Sequence, residues 1–404
     1  MIFSSIDIFC RCIDNFGDAG VVYRFVNEFK IRHPQRRIRV FIDSKETLQE
    51  IVKEIVPSQV IQEHESILYI STLSLTETLV NDLGVSDIMV EAFACHIPEP
   101  LLELAYGKSK LIINLEYLSA ENWVDGYHLK ESLLGRGSVR KFFFMPGFRE
   151  TTGGLILNSK LKAIRADNKF DKSKVLNNLF NHFNGSIDIQ ESGLIGTVFT
   201  YKRGFDSLLV DLAELNHKVT LLVFGEKSQQ SISESLKRLC KEQYCNYDDG
   251  NKKQYPQEYG YKNVKLIYMP FIEQHSYDTL LCCTDFNIVR GEDSLSRAVL
   301  SGKPFIWNAY IQDEKYQKVK VEALLETMRV YYKSTVDFTD YSDLMLKFND
   351  AACESVHQTT TERYHLFFKN LKKHEHAAGE MSYFIHRNCD LIDNFTNFLN
   401  NYQI

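Results

Sequence analysis

The sequence predicts an α/β protein built from two Rossmann-like domains, and three observations carry that prediction. Short apolar runs alternate with helical stretches, the alternation lapses across a polar segment rich in Lys and Asn, and it then begins again. The length, 404 residues, also exceeds what one hydrophobic core serves. Strands alternating with helices join through right-handed crossovers into parallel sheets covered on both faces.

In the first series Ser5 to Cys12 reads as a strand followed by a helix over Ala19 to His33. Arg37 to Asp43 is followed by Lys45 to Ile55, Asp87 to Glu91 by Pro98 to Tyr106, and Lys110 to Glu116 is a further strand. Beyond Gly153-Gly154, the stretch Asn158 to Asn184 is the expected hinge region. The second series has strands at Leu194 to Tyr201, Lys218 to Phe224, Val264 to Met269, Asp285 to Val289 and Pro304 to Trp307. Its helices are expected at Phe205 to Asn216, Tyr277 to Cys283 and Asp293 to Ser301. Glu242 to Tyr261, with Asp248-Asp249-Gly250, has the chemistry of a loop. Glu362 to Ile404 is helical, with Phe367, Phe368, Leu391 and Phe395 among its apolar residues, and is expected to pack back across the first domain. The boundaries follow as 1–187 joined by 362–404, and 188–361.

Apolar residues make up 44% and charged residues 25%, the balance of an ordinary folded globular chain. A net charge of -6, with no basic run longer than His33 to Arg39, disfavours binding to nucleic acid. Nine cysteines without Cys-x-x-Cys pairing suit reduced, mostly buried thiols. Met1 to Cys12 lacks a basic leader and no uncharged apolar run reaches about 18 residues, so neither a signal peptide nor a membrane span is read. A cytoplasmic protein is expected.

Asp14-Asn15-Phe16-Gly17-Asp18-Ala19-Gly20 follows the first strand and opens the first helix. In an open parallel sheet this turn faces the ligand crevice, and Gly17 and Gly20 allow close approach of a ligand to the backbone. Two carboxylates would repel a pyrophosphate, so the turn is not a dinucleotide fingerprint. Asp14 and Asp18 suit the orientation or deprotonation of a hydroxyl or cationic nucleophile. The alternative is that one of them caps the helix, worth about 1 kcal/mol.

Arg290-Gly291-Glu292-Asp293-Ser294 similarly follows a strand and opens a helix. Free N–H groups and the positive end of the helix dipole hold a diphosphate without a metal, and Arg290 adds charge-assisted bonds. An ordinary capped helix, with Glu292 and Asp293 complementing the dipole, is the competing reading. Phe199-x-Tyr201 and Phe271-Ile272-Glu273-Gln274 also end strands, where aromatic faces stack on a nucleobase and a Gln reads its edge, although Phe271 taken alone fits a core position better. There is no Asp-x-Asp after a strand, and His374-x-His376 reads as a solvated helix face, so no metal is expected.

Together these segments resemble the bacterial elongation factor P arginine rhamnosyltransferases, the EarP family. The resemblance runs through Asp7 to Arg11 with Asp14 to Asp18, Glu91-Ala92-Phe93, Asn114 to Glu121, Lys141 to Phe148 with Thr152 to Gly154, Arg290 to Ser294, and Gly302 to Trp307. It implies a GT-B glycosyltransferase of two facing Rossmann-like domains that transfers L-rhamnose, with inversion, from dTDP-β-L-rhamnose to one arginine of elongation factor P. The modified factor then helps ribosomes stalled at consecutive prolines. The resemblance further implies an N-terminal domain that docks the acceptor and a C-terminal domain that binds the donor.

By position, Asp18 matches the general base, Asp14 its companion carboxylate, and Glu292 and Asp293 acidic residues needed around the donor, with Glu292 counted beside the two aspartates as catalytic. Phe199, Tyr201, Phe271 and Gln274 match nucleotide-binding positions, and Arg290 and Ser294 diphosphate contacts. Asn15, Phe16, Gly17 and Gly291 complete the expected donor-binding set. The chain departs from the family where Asn308-Ala309-Tyr310-Ile311-Gln312 replaces the usual His-Ile-Tyr-Pro-Gln, at Leu295 and Ser296, and at Ala19. Two other readings stand beside this one: a GT-B enzyme with another nucleotide sugar or acceptor, and a non-catalytic nucleotide-binding partner of a translation factor.

Overall fold

A computed structural model of the chain describes residues 3–13, 16–93, 95–133, 139–161, 172–181, 193–240, 256–311, 316–350 and 362–402. The chain divides into two compact units, Met1–Ser159 with Ile385–Ile404, and Lys160–Phe384.

The first unit contains the strands β1 (Ser5–Cys10), β2 (Arg37–Ile42), β3 (Ile61–His64), β4 (Ile67–Ser71), β5 (Ile88–Ala92), β6 (Leu111–Leu115), β7 (Glu131–Ser132) and β8 (Arg140–Phe144). They form one sheet in the order β3-β4-β2-β1-β5-β6-β8-β7, parallel except for the antiparallel edge strands β3 and β7. Every residue of β1 is buried, as its apolar run requires of a strand covered on both faces. On one face Ile6 and Ile8 join Phe25 and Phe29 of the helix Phe16–Arg32; on the other, Phe9 stacks on Phe41 at 4.7 Å between ring centroids. Asp7, buried in β1, is ion-paired with its register neighbour Arg39 at 2.6 Å and accepts hydrogen bonds from the N–H and hydroxyl of Ser86, a fully bonded ion pair that belongs to the framework. Phe395 of the C-terminal helix Leu391–Asn401 lies edge-on to Phe25, Phe29 and Phe144, so the chain end completes this core.

The second unit contains β9 (Leu194–Val198), β10 (Val219–Phe224), β11 (Gln257–Tyr261), β12 (Val264–Met269), β13 (Phe286–Arg290) and β14 (Phe305–Asn308). Their order is β11-β12-β10-β9-β13-β14, parallel apart from β11.

Several expectations change. The helix Lys172–Asn181 falls in the expected hinge, yet Leu176 and Phe180 pack on Leu222 and Ile267, so the second unit begins at Lys160 and not at 188. The tail is three helices, Tyr364–Lys369, Leu371–Asn388 and Leu391–Asn401. Phe367 and Phe368 pack against Phe286 of the second unit, and the chain re-enters the first unit only at Ile385. The supposed loop Glu242 to Tyr261 ends in β11, paired with β12; residues 241–255 lie outside the described set. The hairpin β3–β4 turns through Glu65 and Ser66, both with positive φ (50° and 61°), and lacks the glycine that would have signalled it. Cys10, Cys12, Cys95, Cys282, Cys283 and Cys389 are free thiols, whereas Cys240 is disulfide-bonded, contrary to the expectation of reduced cysteines.

Candidate active site

In each sheet the chain starts at a central strand and then builds outward on both sides. The loops leaving that strand and its later neighbour therefore diverge and open a crevice at the carboxyl ends. In the first unit the switch lies between β1 and β5. Asp18, in the first turn of the helix that follows β1, is 2% exposed. Its Oδ2 accepts the backbone N–H of Ile13 at 2.8 Å, and its Oδ1 accepts the Tyr117 hydroxyl at 3.0 Å. These donors come from the loop before the helix and from the segment after β6, so the carboxylate is fixed from outside its own helix.

The Tyr117 ring stacks on Phe93, with centroids 4.6 Å apart and planes 19° from parallel. Phe93 follows β5 at φ 58°, a left-handed conformation that costs a bulky residue about 1 to 3 kcal/mol; its N–H bonds the Leu115 carbonyl at 2.7 Å. Two further carboxylates belong to this end of the sheet. Glu91 is buried and ion-paired with Lys141, and burial pushes the Glu116 carboxyl up, opposed by the Asn114 amide at 2.7 Å. Phe16 is exposed and Gly17 half-buried at the helix start; Asp14 and Asn15 lie outside the described residues.

In the second unit the switch lies between β9 and β13. Arg290 ends β13 and Gly291 opens the helix Gly291–Ser301. The Arg290 guanidinium sits 4.2 Å from the Phe199 ring centroid and 5.0 Å from that of Tyr201, within cation–π range, and donates to the Thr200 carbonyl at 3.3 Å. Gly291 has φ 63°, and a Cβ there would stand 3.3 Å from the Tyr201 hydroxyl. Phe199 in turn lies on Gly225, where a Cβ would come within 2.7 Å of the ring.

The two acidic residues beside this helix start face cations. Glu292 pairs with Lys320 at 2.9 Å, and Asp293 lies 3.8 Å from Arg297. That arrangement removes the repulsion which makes acids poor neighbours of a phosphate. Ser294 is buried in the same turn. Phe271, more consistent with core on sequence alone, is 59% exposed after β12, and Gln274 opens the helix Gln274–Cys283. Thus Phe199, Tyr201, Arg290 and Gly291 are assembled by direct contact, while Phe271 and Gln274 stand at the end of β12, separated from β9 by β10.

Sequence reasoning missed the partners: Tyr117 for Asp18, Lys320 for Glu292, Gly225 beneath Phe199, and Asn308, which accepts the Tyr201 N–H at 3.0 Å. A tyrosine after an apolar strand carries no local signal of a contact so distant in sequence. Among the described residues no group of three His, Cys, Asp or Glu side chains is arranged to hold a metal ion, and no helix is long and apolar enough to cross a membrane.

The sequence profile of the family described as elongation factor P (EF-P) rhamnosyltransferase EarP matches residues 6–400. A protein-arginine rhamnosyltransferase of Shewanella oneidensis is 32% identical over 360 residues, covering 85% of either chain. One of Pseudomonas aeruginosa is 30% identical over 335 residues, covering 80% of this chain and 81% of the relative. Among solved structures, one concerning EarP-mediated arginine glycosylation of translation elongation factor EF-P matches with a TM-score of 0.63 at 19% identity, covering 99% of this chain and 100% of that one. A UGT transferase from Siraitia grosvenorii in complex with UDP matches at 0.52 and 9% identity, over 98% and 99% of the two chains. At such identities the structural matches establish the fold, that of the GT-B glycosyltransferases.

Proposed function

The chain belongs to the EarP family of elongation factor P rhamnosyltransferases and is a protein-arginine rhamnosyltransferase; from that premise we propose that it transfers L-rhamnose, with inversion and without a metal, from dTDP-β-L-rhamnose to an arginine of elongation factor P. In this reading the product supports ribosomes stalled at consecutive prolines, the reaction is cytoplasmic, the first unit binds the acceptor and the second the donor.

The observation that supports the chemistry most directly is Asp18, a buried carboxylate aimed by two hydrogen bonds at a topological switch point. An arginine side chain has a pKa above about 12 and its nitrogens are poor nucleophiles while the positive charge stays delocalised. A fixed carboxylate localises that charge on part of the fork, aims one nitrogen at the anomeric carbon and accepts its proton as the new C–N bond forms. Asp14 shares this task as the companion carboxylate. On the opposite face of the sugar the anomeric C–O bond breaks and dTDP departs.

The leaving diphosphate is received by the amides opening the helix Gly291–Ser301, with Arg290, Tyr201 and Ser294 as side-chain partners; these take the part a metal plays in other transferases. Phe199 and Phe271 offer faces to thymine or ribose, and Gln274 reads the base edge. Glu292, held by Lys320, and Asp293 serve sugar hydroxyls.

Intact-mass measurement of unmodified elongation factor P after incubation with this protein and dTDP-β-L-rhamnose tests the proposal. One added deoxyhexose on a single arginine is expected. No mass change while dTDP still binds would move the assignment to another acceptor or to a non-catalytic nucleotide-binding role.

A further inference from the structure

Two turns carry the proposed diphosphate site, the one after β9 with Tyr201 and the one after β13 with Arg290 and Gly291, and both are held by consecutive residues of β14. Trp307, 3% exposed, donates its indole N–H to the Gly291 carbonyl at 2.8 Å. Asn308, 5% exposed and the register partner of Arg290, accepts the Tyr201 backbone N–H on its Oδ1 at 3.0 Å. Alternation along a strand sends these side chains to opposite faces, so a single strand end braces both turns.

The brace is itself anchored. Asn349 donates to the Trp307 carbonyl at 2.7 Å and accepts the Ala309 N–H at 2.8 Å, clasping the backbone on either side of Asn308. Tyr341, buried in the helix Thr335–Phe348, donates to the Phe305 carbonyl at 2.7 Å. Tyr201 has little freedom once its amide is tied to this strand: its ring lies beside Arg290 and edge-on to Tyr310 at 5.6 Å, and its hydroxyl stands over Gly291.

We propose that Asn308 is a positioning residue for the donor, setting diphosphate affinity by holding Tyr201 over the Arg290–Gly291 turn. The inference rests on the reading of that turn as the diphosphate site. It assigns Asn308 no contact with the reacting atoms; its effect passes through Tyr201. A pre-set phenol loses less freedom when the donor arrives, and this is the origin of the affinity.

The test is a double-mutant cycle read by calorimetric titration of dTDP, with Arg290→Ala as reference and thermal denaturation as a folding control. Asn308→Ala should weaken dTDP binding about tenfold, the loss of one net hydrogen bond, and raise the KM for donor with little change in kcat. In the Tyr201→Ala background the same substitution should cost less than about twofold, because the side chain it positions is gone. Asn308→Ser, too short to reach the amide, must show the same coupling and serves if the alanine variant fails to fold. An equal loss in both backgrounds, or wild-type affinity of Asn308→Ala beside weak binding by Arg290→Ala, overturns the proposal and leaves the diphosphate site standing. Wild-type affinity of Arg290→Ala removes the site itself.

Discussion

The Tyr117 hydroxyl donates to Asp18 Oδ1 at 3.0 Å across 99 positions of sequence, joining the first turn after β1 to the segment after β6. Stacked on Phe93, the phenol is fixed before any substrate binds, and it holds the carboxylate in one rotamer.

Asp18→Asn should therefore lower kcat by roughly 100- to 10,000-fold, the range for loss of a general base, while dTDP binding stays near that of the wild type. Tyr117→Phe keeps the stack and the Ile13 bond and removes only this donor, so a kcat loss of about tenfold is expected. Single-turnover rates with elongation factor P as acceptor check both; unchanged turnover in Asp18→Asn removes it from the base role.

Arg290→Ala should weaken dTDP binding by about 1.5 to 3 kcal/mol, the range for a hydrogen bond to a charged group. Arg290→Lys should recover only part of this. An ammonium lacks the planar fork that lies against Phe199 at 4.2 Å while bonding the Thr200 carbonyl. Titration calorimetry on the three proteins decides it, and full recovery by lysine would reduce the role to charge alone.

Much of this arrangement was legible in the sequence because buried parallel strands announce themselves as apolar runs. β1, β2, β5, β6, β10, β12, β13 and β14 fall within a residue or two of the expected positions, and β9 starts as expected but ends three residues early, at Val198. The turns that hold Asp18 and Arg290 were legible too, since a central strand running into a helix places its next few residues at the crevice. The apolar runs of β4 and β8, interior strands paired in parallel with β2 and β6, were nonetheless passed over, and what else was hidden depends on distant pairing. β3 and β11 are edge strands with polar, half-exposed residues, and Lys172–Asn181 is polar overall although its apolar stripe meets the second sheet. Asn308 was noted only as a departure from the family; its part in holding Tyr201 depends on β9 and β14 flanking β13, a fact of topology.

Chelation should leave the rate unchanged in the presence of donor and acceptor. In the proposed reading the amides of the Gly291 turn and Arg290 supply the positive potential that a leaving diphosphate needs. Strong inhibition by chelator, reversed by Mg2+, would replace this account with metal-assisted departure.

His374, expected on a solvated helix face but buried at 1% exposure against Phe367 and Tyr341, and His128 make stability depend on pH. Burial holds each imidazole at about 4, below its ordinary value near 6.5, and each uses Nδ1 in a native hydrogen bond, with the Tyr332 hydroxyl and the Met145 N–H respectively. Between pH 6.5 and 4 the unfolded chain binds more protons at these sites than the folded one. Their contribution is thus complete above about pH 6.5 and is lost as pH falls toward 4. The apparent Tm should decline through that window. His374→Gln, despite a lower Tm at neutral pH from lost stacking on Phe367, should show a shallower decline; an identical slope would remove His374 from the effect.

Gly225→Ala tests the support of Phe199 in the proposed nucleotide site. Its φ of 78° with ψ 139° is open to glycine and strained for alanine by about 1 to 3 kcal/mol. There is also a local effect, because the added methyl would meet the Phe199 ring at 2.7 Å, and the Arg290 guanidinium sits 4.2 Å from the centroid of that same ring. Phe199 must tilt, and the guanidinium loses the surface that aims it. A five- to tenfold loss of dTDP affinity is expected at roughly that cost in stability. Affinity that falls no more than the stability change accounts for would mean that Phe199 merely fills space. The expected result, with Arg290→Ala adding little further loss in the Gly225→Ala background, would tie glycine, ring and guanidinium into one binding unit.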